Sequence, residues 1–221
     1  MAWFDWLLPP SCPLCQRKAS GNSCCFCREC AANFPPPGKT LWSPANDETS
    51  LPVYAWGAYD GALRRSLQLL KYHQQPRIGE TFGHWLGQYW RQTHTAKQKH
   101  LVIPIPLHRD RQQQRGYNQA EQVSRAFCRV TGDRHAPDIL QRVKVTEAQF
   151  GLSRSDRFRN LQRAFAVSPQ LDSRYPVLLV DDIYTTGATM AAAIDAMRRV
   201  RPNVKVVGAI AIARALSRNS Q

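Results

Sequence analysis

The 221-residue chain carries 30 basic and 16 acidic residues, a formal net charge of +14, on a globular composition of 43% hydrophobic and 21% charged residues. That length supports one sizeable core and a small appendage. The longest apolar run, Val206–Ala213, is far short of the roughly 18 residues a membrane span requires, and no charged-then-apolar secretory leader is present, so a cytoplasmic protein without stable membrane insertion is expected. The basic balance suits polyanions, whether phosphorylated small molecules, nucleotides or nucleic acid.

Residues 1–10, MAWFDWLLPP, present Trp3, Phe4, Trp6, Leu7 and Leu8. Such a segment can lie in a membrane interface. It has no basic residue to attract anionic headgroups, so packing against the main domain is expected instead.

Two CxxC pairs follow, Cys12 with Cys15 and Cys27 with Cys30, with eleven residues between them. Each pair grips a metal from one tight knuckle, and two pairs complete a tetrahedral site of four sulfurs. An all-thiolate set in a structural role points to Zn²⁺; with zinc bound the net charge falls to about +12. Cys24 also stands in CxxC register with Cys27, and Cys25 adjoins it, so the ligand set can shift. A disulfide framework is not expected without a secretory leader. The expected layout is a zinc-binding knuckle over 1–34, a Pro-, Gly- and polar-rich linker over 35–52, and a main domain over 53–221.

Val53–Tyr59 reads as a strand. Leu63, Leu67 and Leu70 recur at helical spacing, as do Phe82, Trp85, Leu86 and Tyr89 after the Pro76 break. Both helices are read as scaffold, with Lys71 solvated. Leu101–Pro106 is a second short buried strand. A basic loop with His108, Arg109, Arg111 and Arg115 then leads to an amphipathic helix marked by Ala120, Val123, Phe127 and Val130 and closed by Gly132. Guanidinium groups in such a loop match phosphate oxygens in bidentate fashion.

Gln149–Phe165 carries Arg154, Arg157, Arg159 and Arg163. Three readings stand for it as a helix starting near Ser153: a lid over a site, a surface for single-stranded nucleic acid, or a solvated basic face. Cys128 reads as a plain core residue.

Val177–Thr189, VLLVDDIYTTGAT, organises the rest of the chain. Four apolar residues predict a buried strand, followed by Asp181, Asp182, a Thr/Gly turn and a helix over 188–200 with Met190, Ile194, Met197 and Val200 facing inward. A helix N-terminus with free N–H groups attracts phosphate, Thr hydroxyls add donors, and Gly187 allows close backbone approach. The two carboxylates can accept hydrogen bonds from vicinal sugar hydroxyls, directly or through Mg²⁺. Val204–Ala213 is a final strand. Alternating strands and helices predict a parallel sheet, with ligands at the carboxyl ends of its strands.

The 177–189 stretch resembles the phosphoribosyl-pyrophosphate (PRPP) signature of type I phosphoribosyltransferases. Four features in order, the double CxxC, PIPLH with RGYNQAEQ, QFGLSRSDRFRN and VDDIYTTGAT, resemble the ComF family of competence-associated phosphoribosyltransferase-like proteins. The resemblance spans about residues 8–214. It implies an α/β fold with a parallel sheet flanked by helices and a small N-terminal zinc knuckle built on four cysteines. It also implies that Asp181 and Asp182 are catalytic and hold the ribose hydroxyls. Thr185, Thr186, Gly187, Ala188 and Thr189 would hold the 5-phosphate. Leu107, His108 and Arg115, in the segment after Pro106, would face the pyrophosphate with Mg²⁺.

One departure matters. In purine-salvage members the position of Thr185 is commonly an Asp that helps the incoming base, and Thr cannot serve as that base at neutral pH. The implied function is a PRPP-binding protein that supports DNA uptake and natural transformation, with single-stranded DNA and the uptake machinery as partners. An active phosphoribosyltransferase on an unidentified base or nucleotide-precursor acceptor is the alternative. A second alternative, a zinc-ribbon nucleic-acid binder on a non-catalytic scaffold, conflicts with the two acids, which would repel a phosphate backbone.

Overall fold

The computed structural model describes residues 10–21, 24–35, 51–94, 98–143 and 164–215. Strands β1 (Val53–Ala58), β2 (Leu101–Pro104), β3 (Arg134–His135), β6 (Val177–Tyr184) and β7 (Val206–Arg214) form a parallel sheet in the order β1-β7-β6-β2-β3. β6 lies at the centre, hydrogen-bonded to β2 and β7. Its apolar run explains the position, since a parallel strand covered on both faces needs apolar residues throughout. Alternate residues feed opposite cores. Leu178 and Val180 join Val102, Ile210 and Ile212 on one face; Val177 and Leu179 join Leu101, Ile103, Ala209 and Ala211 on the other.

The first face is covered by α2 (Gly61–Tyr72), α3 (Pro76–Thr93) and α5 (Gln119–Thr131). α3 and α5 pack closely because Gly83 and Gly87 present no side chain. A Cβ on Gly83 would meet the Val123 carbonyl oxygen at 2.3 Å, and one on Gly87 would meet Val130 Cβ at 2.8 Å. The second face is covered by α6 (Ala188–Val200) and an antiparallel ribbon of β4 (Leu140–Arg142) and β5 (Phe165–Val167). α6 buries Met190, Ile194 and Met197; Val200, expected inward, is exposed because it closes the last turn.

The cysteine-rich segment packs onto the first face. Phe26 and Phe34, the latter just beyond α1 (Arg28–Ala32), contact Phe82 and Trp85 of α3 with ring centroids 5.3–6.0 Å apart.

Three expectations need correction. The central strand does not stop before the acids: β6 runs through Asp181 and Asp182 to Tyr184, because the ladder with β7 continues to Arg214. The loop after Pro106 is not all loop, since Arg109–Arg115 folds as helix α4, with His108 accepting the Asp110 N–H at its start and Gly116 closing it at φ +80°. The end of the expected arginine helix is extended: Ala164 is buried and Phe165 begins β5. Arg154, Arg157, Arg159 and Arg163 lie outside the described residues, as do residues 1–9 and 36–50.

Candidate functional site

β6 and α6 meet at a turn that the sequence dictates. Gly187 has φ +83°, a left-handed conformation that a side chain disfavours, and it caps α6 without a side-chain bond. The Ala188 N–H reaches Thr186 Oγ1 at 3.4 Å. Thr185 and Thr186 are exposed, Gly187 and Ala188 are buried, and Thr189 is intermediate. The turn therefore offers two hydroxyls and a helix N-terminus to one small patch, an arrangement suited to an anion.

Asp181 and Asp182 stand immediately before it. The Asp182 N–H donates to Asp181 Oδ1 at 2.8 Å, orienting that carboxylate. Lys71 Nζ lies 3.0 Å from Asp182 Oδ2, with side chains 19% and 12% exposed. Lys71 is thus not solvated as expected. It follows Leu67 by four residues, so it shares that residue's inward side of α2, and this spacing was the available sequence signal. Burial, then the Asp182 charge, push Asp181 up to about 7, against Lys71 and Arg142, which act in the opposite direction. Arg142 was also missed; a lone arginine in a three-residue strand carries no pattern that sequence reasoning can use.

The segment after β2 lines a cleft of its own. Leu107, His108 and Arg109 line a cleft of about 540 Å³ with Asn118, Leu140 and Arg142. Asn118 is fixed in it, donating from Nδ2 to the Ile105 carbonyl at 3.0 Å and accepting the Ala120 N–H. His108 Nδ1 also lies 3.3 Å from Asp110 Oδ2. Arg115 turns elsewhere: it donates to Gln119 Oε1 at 3.1 Å, and its guanidinium sits 5.5 Å from the centre of the Tyr72 ring. Tyr117 donates to the Leu70 carbonyl. The RGYN segment thereby braces the end of α2, and with it Lys71.

The sulfur atoms of Cys12, Cys15, Cys27 and Cys30 lie within 4.8 Å of one another, a group that could hold a metal ion. Cys15 Sγ and Cys27 Sγ are 3.5 Å apart. Zn–S bonds of about 2.3 Å in a tetrahedron place sulfurs roughly 3.8 Å apart, so the donor set fits Zn²⁺. Cys27 also caps α1, accepting the Cys30 N–H. Without a cation, burial, then Cys15, Cys27 and Cys12, push Cys30 well above the usual thiol range. Cys24 and Cys25 stand apart from the four. Cys24 reaches the Phe26 carbonyl, while Cys25 is buried, its thiol pushed up to about 12 by burial. Cys128 is likewise buried.

Residues 132–221 match the family model described as "Phosphoribosyl transferase domain", a span that holds the acid pair and the Thr/Gly turn. The chain is 37% identical over 140 residues to Competence protein F of Haemophilus influenzae, covering 61% of each protein. It is 27% identical over 187 residues to the DNA utilization protein YhgH of Escherichia coli O6:H1, covering 81% of this chain and 80% of that one. It is 26% identical over 184 residues to Competence protein ComFC of Bacillus subtilis, covering 81% of this chain and 68% of that one. Among the described residues, no helix is long and apolar enough to cross a membrane.

Proposed function

We propose that the chain is a ComF-type phosphoribosyltransferase-like protein that binds PRPP with Mg²⁺ at the Asp181–Asp182 turn and supports DNA uptake. The carrying observation is the placement of two carboxylates directly before a Thr/Gly turn at the carboxyl end of the central strand. In this reading Asp181 and Asp182 accept the ribose hydroxyls, and the Thr185–Thr189 turn receives the 5-phosphate. Leu107 and His108, on the cleft wall, face the pyrophosphate. Arg115 reaches it only by leaving Gln119 and Tyr72. Mg²⁺ would supply neutralisation of pyrophosphate charge, and the hard carboxylate oxygens present fit it.

The chemistry compatible with this placement is displacement of pyrophosphate at the anomeric carbon. The bond from that carbon to the pyrophosphate oxygen breaks as an acceptor nucleophile bonds to it. The carboxylates beside the ribose stabilise oxocarbenium-like charge. The Thr185 hydroxyl cannot take a proton from a purine at neutral pH, so purine salvage is not the role proposed.

The names of the competence and DNA utilization relatives support a DNA-linked role, which in this reading is cytoplasmic, with single-stranded DNA and the uptake machinery as partners. The four clustered cysteines support one structural Zn²⁺. A thermal-shift titration with PRPP and Mg²⁺ tests the binding reading: a rise in melting temperature that saturates and needs both components supports it, and no shift overturns it. Pyrophosphate release with candidate bases then separates a working transferase from a PRPP-responsive binder.

A further inference from the structure

The acid pair poses a problem for the ligand proposed. Two adjacent carboxylates repel a polyanion and attract a bare divalent cation. The structure meets this with a cation of its own. Lys71 comes from the last turn of α2, outside the acid turn, and places its ammonium 3.0 Å from Asp182 Oδ2 while both side chains are largely shielded from solvent. A shielded ion pair contributes little net stability, because desolvation offsets the attraction. Stability alone therefore does not explain the arrangement.

The end of α2 is held by the segment between α4 and α5. Tyr117 donates to the Leu70 carbonyl, and Arg115 covers the neighbouring Tyr72. Tyr72 itself is 70% exposed while Leu70 in the same turn is fully buried, so the core holds one side of the turn and these contacts brace the other. Lys71 thus stands where the acid turn and the anion-facing segment meet, and its ammonium has three donors, of which Asp182 takes one.

We propose that Lys71 is the resident counter-cation of the acid pair, reserving the site for a metal-bound sugar phosphate over a bare divalent cation. It is a specificity-determining residue, and its assignment rests on the PRPP reading above. It offsets the Asp182 charge in the free protein, which weakens the pair's hold on an unaccompanied metal. When the polyanion arrives, the same ammonium faces its phosphate oxygens.

The test uses the full chain and two probes, Mn²⁺ alone followed by its magnetic resonance signal, and PRPP with Mg²⁺ followed by calorimetry. In K71M, Mn²⁺ binds roughly tenfold tighter and Mg²⁺–PRPP roughly ten- to a hundred-fold weaker, the scale of one charged hydrogen bond; K71R stays near the wild type in both. K71Q replaces K71M if the latter fails to melt cooperatively. Unchanged Mn²⁺ affinity overturns the proposal, whatever happens to PRPP. A wild type that binds no PRPP removes the sugar-phosphate reading, and tighter Mn²⁺ binding in K71M would then still establish the counter-cation.

Discussion

The backbone N–H of Cys25 donates to Thr81 Oγ1 at 3.1 Å, a buried bond across 56 residues of chain that ties the cysteine-rich segment to α3. Thr81 in turn donates to the Arg77 carbonyl at 2.8 Å, so its hydroxyl accepts one bond and donates another. Thr81→Val leaves the Cys25 N–H buried without an acceptor and should cost about 1–3 kcal/mol, read as a lowered urea midpoint with an unchanged slope.

Zinc loss should reach the same core. Phe26 and Phe34 share it with Phe82 and Trp56, so the knuckle and sheet should lose stability together. Elemental analysis should give close to one zinc per chain. Cys15→Ser should lower the zinc content and the melting temperature, while Cys24→Ser should keep both. Full zinc in Cys15→Ser with loss in Cys24→Ser would reassign the ligands.

Gly83→Ala tests the helix crossing. Its Cβ would meet backbone, the Val123 carbonyl, at 2.3 Å and Ala126 Cβ at 2.8 Å. Neither can swing aside, so α3 and α5 must separate, at about 1–3 kcal/mol. Gln88→Ala, on the exposed side of the same helix, should stay within about 0.5 kcal/mol of wild type. Equal stability of the two variants would mean the helices are not in close contact.

The raised Asp181 group makes a signed prediction for the metal-free protein. Its folded value is about 7, against about 3.9 unfolded. Between these values the folded chain holds a proton that the unfolded chain has released, so this contribution to stability falls as pH rises through the window and is gone above the folded value. In EDTA, urea midpoints at pH 5, 6 and 7.5 should decline more in the wild type than in Asp181→Asn. Parallel profiles would mean the carboxyl is not perturbed.

The four arginines at 154, 157, 159 and 163 stand in ten residues of a chain of net charge +14, and single-stranded DNA is the expected partner. Such binding comes mainly from counterion release and should fall steeply with salt. Reversing Arg157 and Arg159 to Glu should weaken binding of a labelled oligonucleotide and flatten its salt dependence in fluorescence anisotropy. An unchanged slope would remove this segment from the DNA surface.

The fold was legible where patterns are local. The apolar run at 177–180 sits at the sheet centre, the Leu63, Leu67 and Leu70 spacing is a helix, and Gly132 closes α5 in the left-handed conformation as expected. What escaped the sequence depends on long-range placement. Asp181 and Asp182 look like loop residues but remain in the ladder because β7 is long enough to pair with them. Lys71 is locally an ordinary helix-end lysine; only the docking of α2 against β6, 111 positions on, gives it a carboxylate. The Thr/Gly turn needed no such placement, since Gly187 declares its conformation by itself.

The central claim is that Asp181 and Asp182 hold the ribose of PRPP, and calorimetry of Mg²⁺–PRPP against the Asp181→Ala, Asp182→Ala double variant tests it most directly. Each lost contact to a charged acceptor should cost about 1.5–3 kcal/mol. The variant should therefore bind at least roughly tenfold more weakly than the wild type while melting cooperatively. Wild-type affinity in that folded variant would contradict the assignment.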